Sequence, residues 1–400
     1  MFTALFVATL AVQAHAATTS FETSKRAAVY PAVKGTTLLA NVTNPVLSRD
    51  SCGSVRMGNR AFWTCRDTED YNPQTGQSTL PLLANTGGWT AFKSDGTPDL
   101  KPGPRGAGSS GANPILQMTG YDANHANPLG KPFYPFFADE CPDYGACEGG
   151  DRWVGWPDQP PVVTNTAADG TITAYTWVSQ QKIRGLTAEI KEPPTALFKL
   201  TYKPGSDASA LPTVTPINER FWAQGQTPWG TYGSMVKDGM VYLYGRMDQP
   251  DETAVARVSV GSVENKNAYQ YYNNGAWTST MPSINSTSAV IKNGGAGGQG
   301  TFYYSDHFNS YVWIGAPYIS VTSGFYLTTA PAPEGPWVQP YKIYQGTDGD
   351  YPGIGAYTLQ AHPGLLKSSS QDGIYISWTQ QWDSKTYGAY TTPLVYVQWQ

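Results

Sequence analysis

Short runs rich in β-branched and aromatic residues recur along this chain, arranged in pairs around tight polar turns. In order they read CGSVRM-GN-RAFWTC, PPVVTNTAA-DG-TITAYTWV, YGSMVK-DG-MVYLYGR, TFYYSDHF-NS-YVWIGA and HPGLLKSSSQ-DG-IYISWT. Asp-Gly and Gly-Asn between such runs predict hairpins, because these turns need positive φ, which Gly, Asn and Asp tolerate. The turns begin at Gly58, Asp169, Asp238, Asn309 and Asp372. Spacings of 69, 71 and 63 residues separate the last four turns. Further strands follow most hairpins, as TALFKLTY, ETAVARVSV, SGFYLTTA and TYGAYTTP, and Trp-bearing segments come next, as ERFWAQ, NNGAWTS and GPWVQPYKIY. Similar units at similar spacing point to a repeated sheet. About four antiparallel strands in each of five units predict an all-β, five-bladed β-propeller. A β-sandwich or a pair of β domains is the alternative.

The first spacing is longer than the rest, and its excess falls between Tyr71 and Gly150, in a Gly-, Pro-, Asn- and Ser-rich stretch containing KPGPRGAGSSGANP. Long insertions of this kind are commonly functional loops. We read residues 71–150 as a loop-rich insertion, a wall or lid over one face. Residues 1–16, MFTALFVATLAVQAHA, combine an apolar run with small residues before a cut after Ala16, the pattern of a signal peptide. Residues 17–400 then form one secreted, extracellular domain. No second stretch approaches the length of a membrane span.

Composition narrows the class. The chain has 42 Gly, 31 Pro and 13% aromatic residues but only 14% charged ones, with a formal net charge of −4. A helical bundle would not tolerate that Gly and Pro content, and a disordered chain would not carry those aromatics. Without a basic excess, nucleic-acid binding is a poor fit. A weakly charged aromatic surface suits an uncharged polar ligand such as a sugar, and a monomer is expected. Four cysteines, Cys52, Cys65, Cys141 and Cys147, are an even number without a Cys-x-x-Cys pair, which favours disulfides over zinc. Local pairing joins Cys52 to Cys65 and Cys141 to Cys147. Sequons at Asn41 and Asn285 fit glycosylated surface loops. No calcium-loop motif is present, so no metal or other cofactor is expected, a channel calcium ion having nothing in the sequence behind it.

The first hairpin concentrates the chemistry. A two-residue turn at Gly58-Asn59 sets Met57 opposite Arg60, Cys52 opposite Cys65 and Asp50 opposite Asp67. Like charges facing each other are unfavourable. Two close carboxylates split their pKa values, one staying protonated while the other ionises. Glycoside hydrolysis needs that division between an acid and a nucleophile or base. The bland counterpart is a pair of strand-end aspartates bonded to loop amides or to Arg66.

This hairpin, SRDSCGSVRMGNRAFWTCRDTED, resembles the opening blade of the domain-of-unknown-function 4185 family, which includes the endo-D-arabinanases of glycoside hydrolase family 183. The likeness runs in outline over most of the chain, through SGFYLTTA before Glu334-Gly335-Pro336-Trp337 and through Ala361-His362-Pro363. It implies a five-bladed propeller, with Asp50 and Asp67 as the catalytic aspartates of an enzyme acting on an arabinan-type furanoside. Arg66 stands where that family usually has Gly.

Other candidates surround this pair. Asp158 holds a place in the second unit related to Asp50 and could tune a pKa or bind substrate. Trp156 and Trp229 precede inner strands, where their rings could stack on sugars, although most of the tryptophans are expected between blades. His362 could enter the central channel from the last hairpin or be a satisfied core histidine, and His125 could line a subsite on the insertion or cap a turn. Arg66 could contact substrate. The expected function is a secreted glycoside hydrolase. A lyase cutting a uronate-containing glycan is one alternative, with His125, His362, Arg184 and Arg246 available to it. A non-catalytic sugar-binding propeller is the other.

Overall fold

The computed structural model describes residues 28–72, 74–103, 114–120, 131–141, 145–205, 210–249, 252–318, 320–383 and 390–400. The expected signal peptide and His125 lie outside the described residues. Among the described residues no helix is long and apolar enough to cross a membrane.

The hairpins build successive antiparallel sheets. Sheet I comprises Gly53–Met57, Arg60–Cys65 and Thr86–Ala91. Sheet II is built on Asp151–Trp156, Ile172–Arg184, Thr195–Tyr202 and Thr213–Trp222, with Val162–Thr166 paired to the second of these. Sheet III contains Gly233–Lys237, Met240–Arg246, Thr253–Ser259, Gln270–Asn273 and Ala276–Thr278. Sheet IV contains Gly297–Ser305, Ser310–Pro317, Gly324–Ala330 and Tyr341–Gln345. Sheet V begins with Ala356–Ala361, Gly373–Gln381 and Pro393–Trp399, and its next strand, Val33–Thr43, comes from the other end of the chain. A small sheet of Leu47–Arg49, Thr68–Asn72 and Gln77–Leu83 continues the first hairpin.

The turn chemistry explains the hairpins. Asp238 and Gly239 both hold positive φ (51° and 74°), which a two-residue turn demands. At Asp169-Gly170 the loop is wider than two residues, with Thr166 facing Ile172 across it. The fifth unit departs further from the sequence reading. Its inner strand is Ala356–Ala361, and HPGLLK instead forms a short 3-10 turn at Pro363–Leu365 before the chain reaches Gly373. Proline at the start of that turn lacks the N–H that a strand would need. The stretch 71–150 also differs from a plain insertion. It supplies the third strand of sheet I, Thr86–Ala91, and two strands, Leu100–Pro102 and Pro114–Gln117, that extend sheet V beyond Val33–Thr43.

Apolar faces bind each sheet to two neighbours. Met57, Phe62 and Trp89 of sheet I pack with Ile172, Phe198 and Leu200 of sheet II. Trp177, Leu197 and Trp222 of sheet II meet Val241, Leu243 and Ala256 of sheet III. Tyr244 and Val255 of sheet III meet Phe302 and Trp313 of sheet IV, with Tyr244 and Phe302 stacked 3.6 Å apart. Val312 and Leu327 of sheet IV join Ile374, Trp378 and Val395 of sheet V, and the same cluster takes in Ala61 and Trp63 of sheet I. The order of packing returns to its starting point. The innermost strands are likewise in contact from one sheet to the next, Val162–Thr166 lying between Gly53–Met57 and Gly233–Lys237.

Both disulfides are present as paired in the sequence reading. Cys52 and Cys65 are buried beneath the first hairpin, with Cα atoms 4.0 Å apart. Opening this loop in a Cys52→Ala/Cys65→Ala variant should cost about 2–4 kcal/mol of stability, read by denaturant unfolding under oxidising conditions. A variant as stable as the parent would deny the bond a structural role.

Candidate active site

Each innermost strand starts at one face, and each second strand returns to it. Residues just before the former and just after the latter therefore meet there, although they are far apart in sequence. At this end of the first hairpin the register runs from Met57 opposite Arg60 to Gly53 opposite Thr64, and resumes with Arg49 opposite Thr68. Between the two ladders Asp50 N–H donates to the Asp67 carbonyl and Arg66 N–H to the Asp50 carbonyl, both at 2.8 Å. Ser51 turns left-handed at φ 51°. This kink divides the hairpin into two sheets and gives the paired aspartates separate surroundings.

Asp50 is 8% exposed. The Ser51 hydroxyl donates to its carboxylate, and Tyr357 of sheet V adds a second side-chain hydrogen bond. Burial nevertheless dominates and lifts its pKa from 3.8 to about 6, with Arg66 pulling the other way and Asp67 assisting the rise. Burial and the adjacent Asp50 hold the Tyr357 phenol protonated, as a donor. Thr358, beside Tyr357, also has positive φ (50°), a genuine outlier for a β-branched residue. Its hydroxyl lies 2.6 Å from that of Ser51. Two strained residues thus bracket Asp50, and strain of this kind gathers at functional sites.

Asp67 is held differently. Arg152 grips it with two bonds, Nη2 to Oδ1 at 2.6 Å and Nη1 to Oδ2 at 3.2 Å, while Trp156 Nε1 donates to Oδ1 at 2.9 Å. Arg152 and Trp156 are four residues apart on the first strand of sheet II, so both side chains leave the same face. A bidentate guanidinium fixes the orientation of a carboxylate. The pair is partly buried, with side-chain exposures of 19% and 12%.

Arg66 lies between the aspartates and sheets II and IV. It pairs with Asp158, and its guanidinium stands 5.5 Å from the Trp156 ring. With its oxygen turned to Arg66, the Gln299 amide accepts from Nη1 at 3.2 Å and donates to Thr358 at 2.6 Å. Buried amides then tie the sheets to one another. Gln159 Nε2 donates to the carbonyls of Tyr232 at 3.1 Å and Gly300 at 2.9 Å, and Gln360 joins Thr301 to the Asp158 carbonyl. Nearby lies a cavity of about 390 Å³, lined by Ser54, Gln159, Pro161, Ser234 and Tyr303 among others.

The structure thus brings Asp50, Asp67, Arg66, Asp158 and Trp156 together. It sends two candidates elsewhere. Trp229 is fully buried between sheets II and III, so its ring has no face free for a sugar. His362 is also fully buried, with Nδ1 2.8 Å from Ser54 Oγ and Nε2 2.7 Å from Ser377 Oγ, and its ring lies 4.7 Å from that of Trp63. It is a core histidine tying sheet V to sheet I. Burial lowers its pKa from 6.5 to about 3. The unfolded chain therefore binds a proton that the folded one refuses, and this residue withdraws stability as pH falls from about 6.5 towards 3. His362→Gln should flatten that part of the stability–pH curve, as followed by thermal melts between about pH 4 and 7; an unchanged slope would deny the residue that role.

Asn285 lies on an exposed loop, whereas Asn41 is 7% exposed within a strand, where a glycan would have to displace packed neighbours. Among the described residues no three His, Cys, Asp or Glu side chains converge as a metal site would require. Sequence reasoning missed Arg152, Tyr357, Thr358 and Gln299 at the site. Only the Arg-x-x-x-Trp spacing of Arg152 and Trp156 carried a local signal.

With this geometry in hand, the chain can be placed by class. It is an all-β protein whose fold is shared with a provisionally assigned hydrolase from Bacteroides ovatus ATCC 8483, at 14% identity over 87% of this chain and 85% of that one, with a TM-score of 0.56. More remote matches include an exo-β-1,3-galactanase from Phanerochaete chrysosporium, at 10% identity over 91% of this chain and 64% of that one, with a TM-score of 0.45. An exo-1,5-α-L-arabinanase from a bovine ruminal metagenomic library matches at 11% identity over 88% and 94% of the two chains, with a TM-score of 0.41. No curated protein matches the sequence. The chain belongs to the family described as domain of unknown function DUF5005, whose model matches residues 151–392. The resemblance to the 4185 family gains no specific support from these matches. The matched segment takes in Arg152, Trp156, Asp158 and Tyr357, while Asp50 and Asp67 precede it.

Proposed function

We propose that this protein is a glycoside hydrolase on a five-bladed β-propeller, with Asp50 as the general acid and Asp67 as the nucleophile or general base. The observation that carries the reading is the unequal treatment of two adjacent carboxylates. Asp50 sits among weak donors in a dry setting that favours its protonated form, and Asp67 lies in the fork of Arg152. An acid that protonates the leaving oxygen and a carboxylate that stays charged are the two parts that glycosidic cleavage requires. The cyclic packing of sheets I to V supports the propeller. Two disulfides fit the exported, extracellular protein read from the leader. An arabinan-type furanoside is one substrate to test, with the protein acting as a monomer that needs no cofactor.

Proton abstraction by a lyase has less to work with. That chemistry needs a base beside the sugar ring. Among the described residues His362 is sealed in the core, and burial holds the phenols of Tyr357 and Tyr390 protonated. A panel of polysaccharides assayed for reducing ends, with ultraviolet detection of unsaturated products alongside, tests the reading. New reducing ends without ultraviolet absorbance are expected. Unsaturated products, or glycan binding with no cleavage of any substrate, would overturn it.

A further inference from the structure

Among the described residues, three guanidinium groups share the candidate face, and two of them are neutralised. Arg152 is paired with Asp67, and Arg66 with Asp158. Arg246 is the third. It ends the second strand of sheet III, opposite Thr253, at the level where the corresponding strand of sheet I delivers Arg66 and Asp67. Its guanidinium lies over the Tyr232 ring at 5.1 Å, close enough to Arg66 for the two charges to repel. Arg246 is half-buried, yet among the described residues no carboxylate pairs with it and the charged form gains support only from Tyr232 and Tyr318.

A half-buried cation has given up part of its hydration, and without a counter-charge that loss is not recovered. Burial accordingly draws its pKa down. An arginine held this way presents a planar fork of donors suited to a carboxylate or a sulfate. Tyr318, at the equivalent strand end of sheet IV and 44% exposed, offers a ring beside it on which a sugar can stack.

We propose that Arg246 forms a subsite for an anionic substituent, so that the glycan bound at this face carries uronate carboxylates or sulfate esters. The proposal rests on the reading of this face as a glycan-cleaving site and names the substrate class. It also revises the expectation, drawn from composition, of a wholly uncharged ligand.

Calorimetric titration can test it without turnover. The probes are a tetragalacturonate and a sulfated galactan tetrasaccharide, each with its carboxyl-reduced or desulfated counterpart. At least one acidic probe should bind wild-type protein about tenfold or more tightly than its neutral counterpart. The probe that does so separates the carboxylate from the sulfate source. Arg246→Gln should abolish this preference, and Arg246→Lys, which keeps the charge, should retain part of it. Thermal melts of both variants check that they are folded. Equal binding of acidic and neutral probes, a preference that survives in Arg246→Gln, or no binding of either acidic probe would overturn the subsite. Acid-selective binding through Arg246 with no hydrolysis would uphold the subsite while removing the hydrolase reading. Hydrolysis of a neutral glycan that needs Asp50 and ignores Arg246 would do the reverse.

Discussion

Asp50→Asn should lower turnover about 10²–10⁴-fold, the range for removing a general acid, while making the protein more stable at neutral pH. The two effects share one cause. Folding raises the Asp50 pKa to about 6, so the folded state holds this proton more tightly than the unfolded one. Between about pH 4 and 6 the native state therefore loses stability as pH rises, and above that window it carries the full cost of a buried charge. That cost is on the order of 2–3 kcal/mol, and an asparagine does not incur it. Melting temperatures of parent and variant should diverge near pH 7.5 and converge near pH 3.5. In the parent, kcat/KM should decline as pH rises through about 6, as the acid loses its proton. Unchanged activity in the variant would remove Asp50 from the mechanism. Matched melting curves at both pH values would remove the burial argument.

Asp67→Asn should be equally damaging to turnover, but here stability falls too. Asparagine cannot accept both bonds from Arg152, and the guanidinium is left partly buried and unpaired. Breaking such a pair from one side costs several kcal/mol when fully buried; with this degree of exposure about 2–3 kcal/mol is expected. Arg152→Lys, which keeps a charge but not the fork, should fall between parent and Asp67→Asn in both stability and turnover. The informative comparison is with Asp50→Asn. Two substitutions of one residue type on one hairpin should move stability in opposite directions. Denaturant unfolding near pH 7.5 reads this, and shifts of the same sign would show that the two carboxylates are not differently held.

The first hairpin shows how far local sequence reaches. Turn chemistry set the register correctly through Cys52 and Cys65, and the same pairing resumes at Arg49 and Thr68. The sequence could not disclose that Ser51 adopts a left-handed conformation between the ladders, because serine has no special preference for it. That dihedral lies where the two aspartates, still paired through the backbone, receive different side-chain partners. The partners of those aspartates were also hidden, since Arg152, Tyr357 and Gln299 come from sheets II, V and IV and meet only through the packing of whole sheets. For Trp229 and His362 the obstacle is related, and the core alternative for His362 is the one found. Position before or within an inner strand does not tell whether a side chain enters the face or the seam between sheets. In the fifth unit the Asp-Gly turn drew attention to HPGLLK, while the quieter run AYTLQA formed the strand.

The pairing of Val33–Thr43 with Pro393–Trp399 has a consequence in time as well as in space. Val33–Thr43 is synthesised well before Pro393–Trp399, its hydrogen-bonding partner. Pairings between such distant segments form slowly, and an unpaired strand edge is open to mispairing while it waits. A strand made early is thus secured late, and the yield of folded protein depends on keeping that edge idle until Pro393–Trp399 arrives.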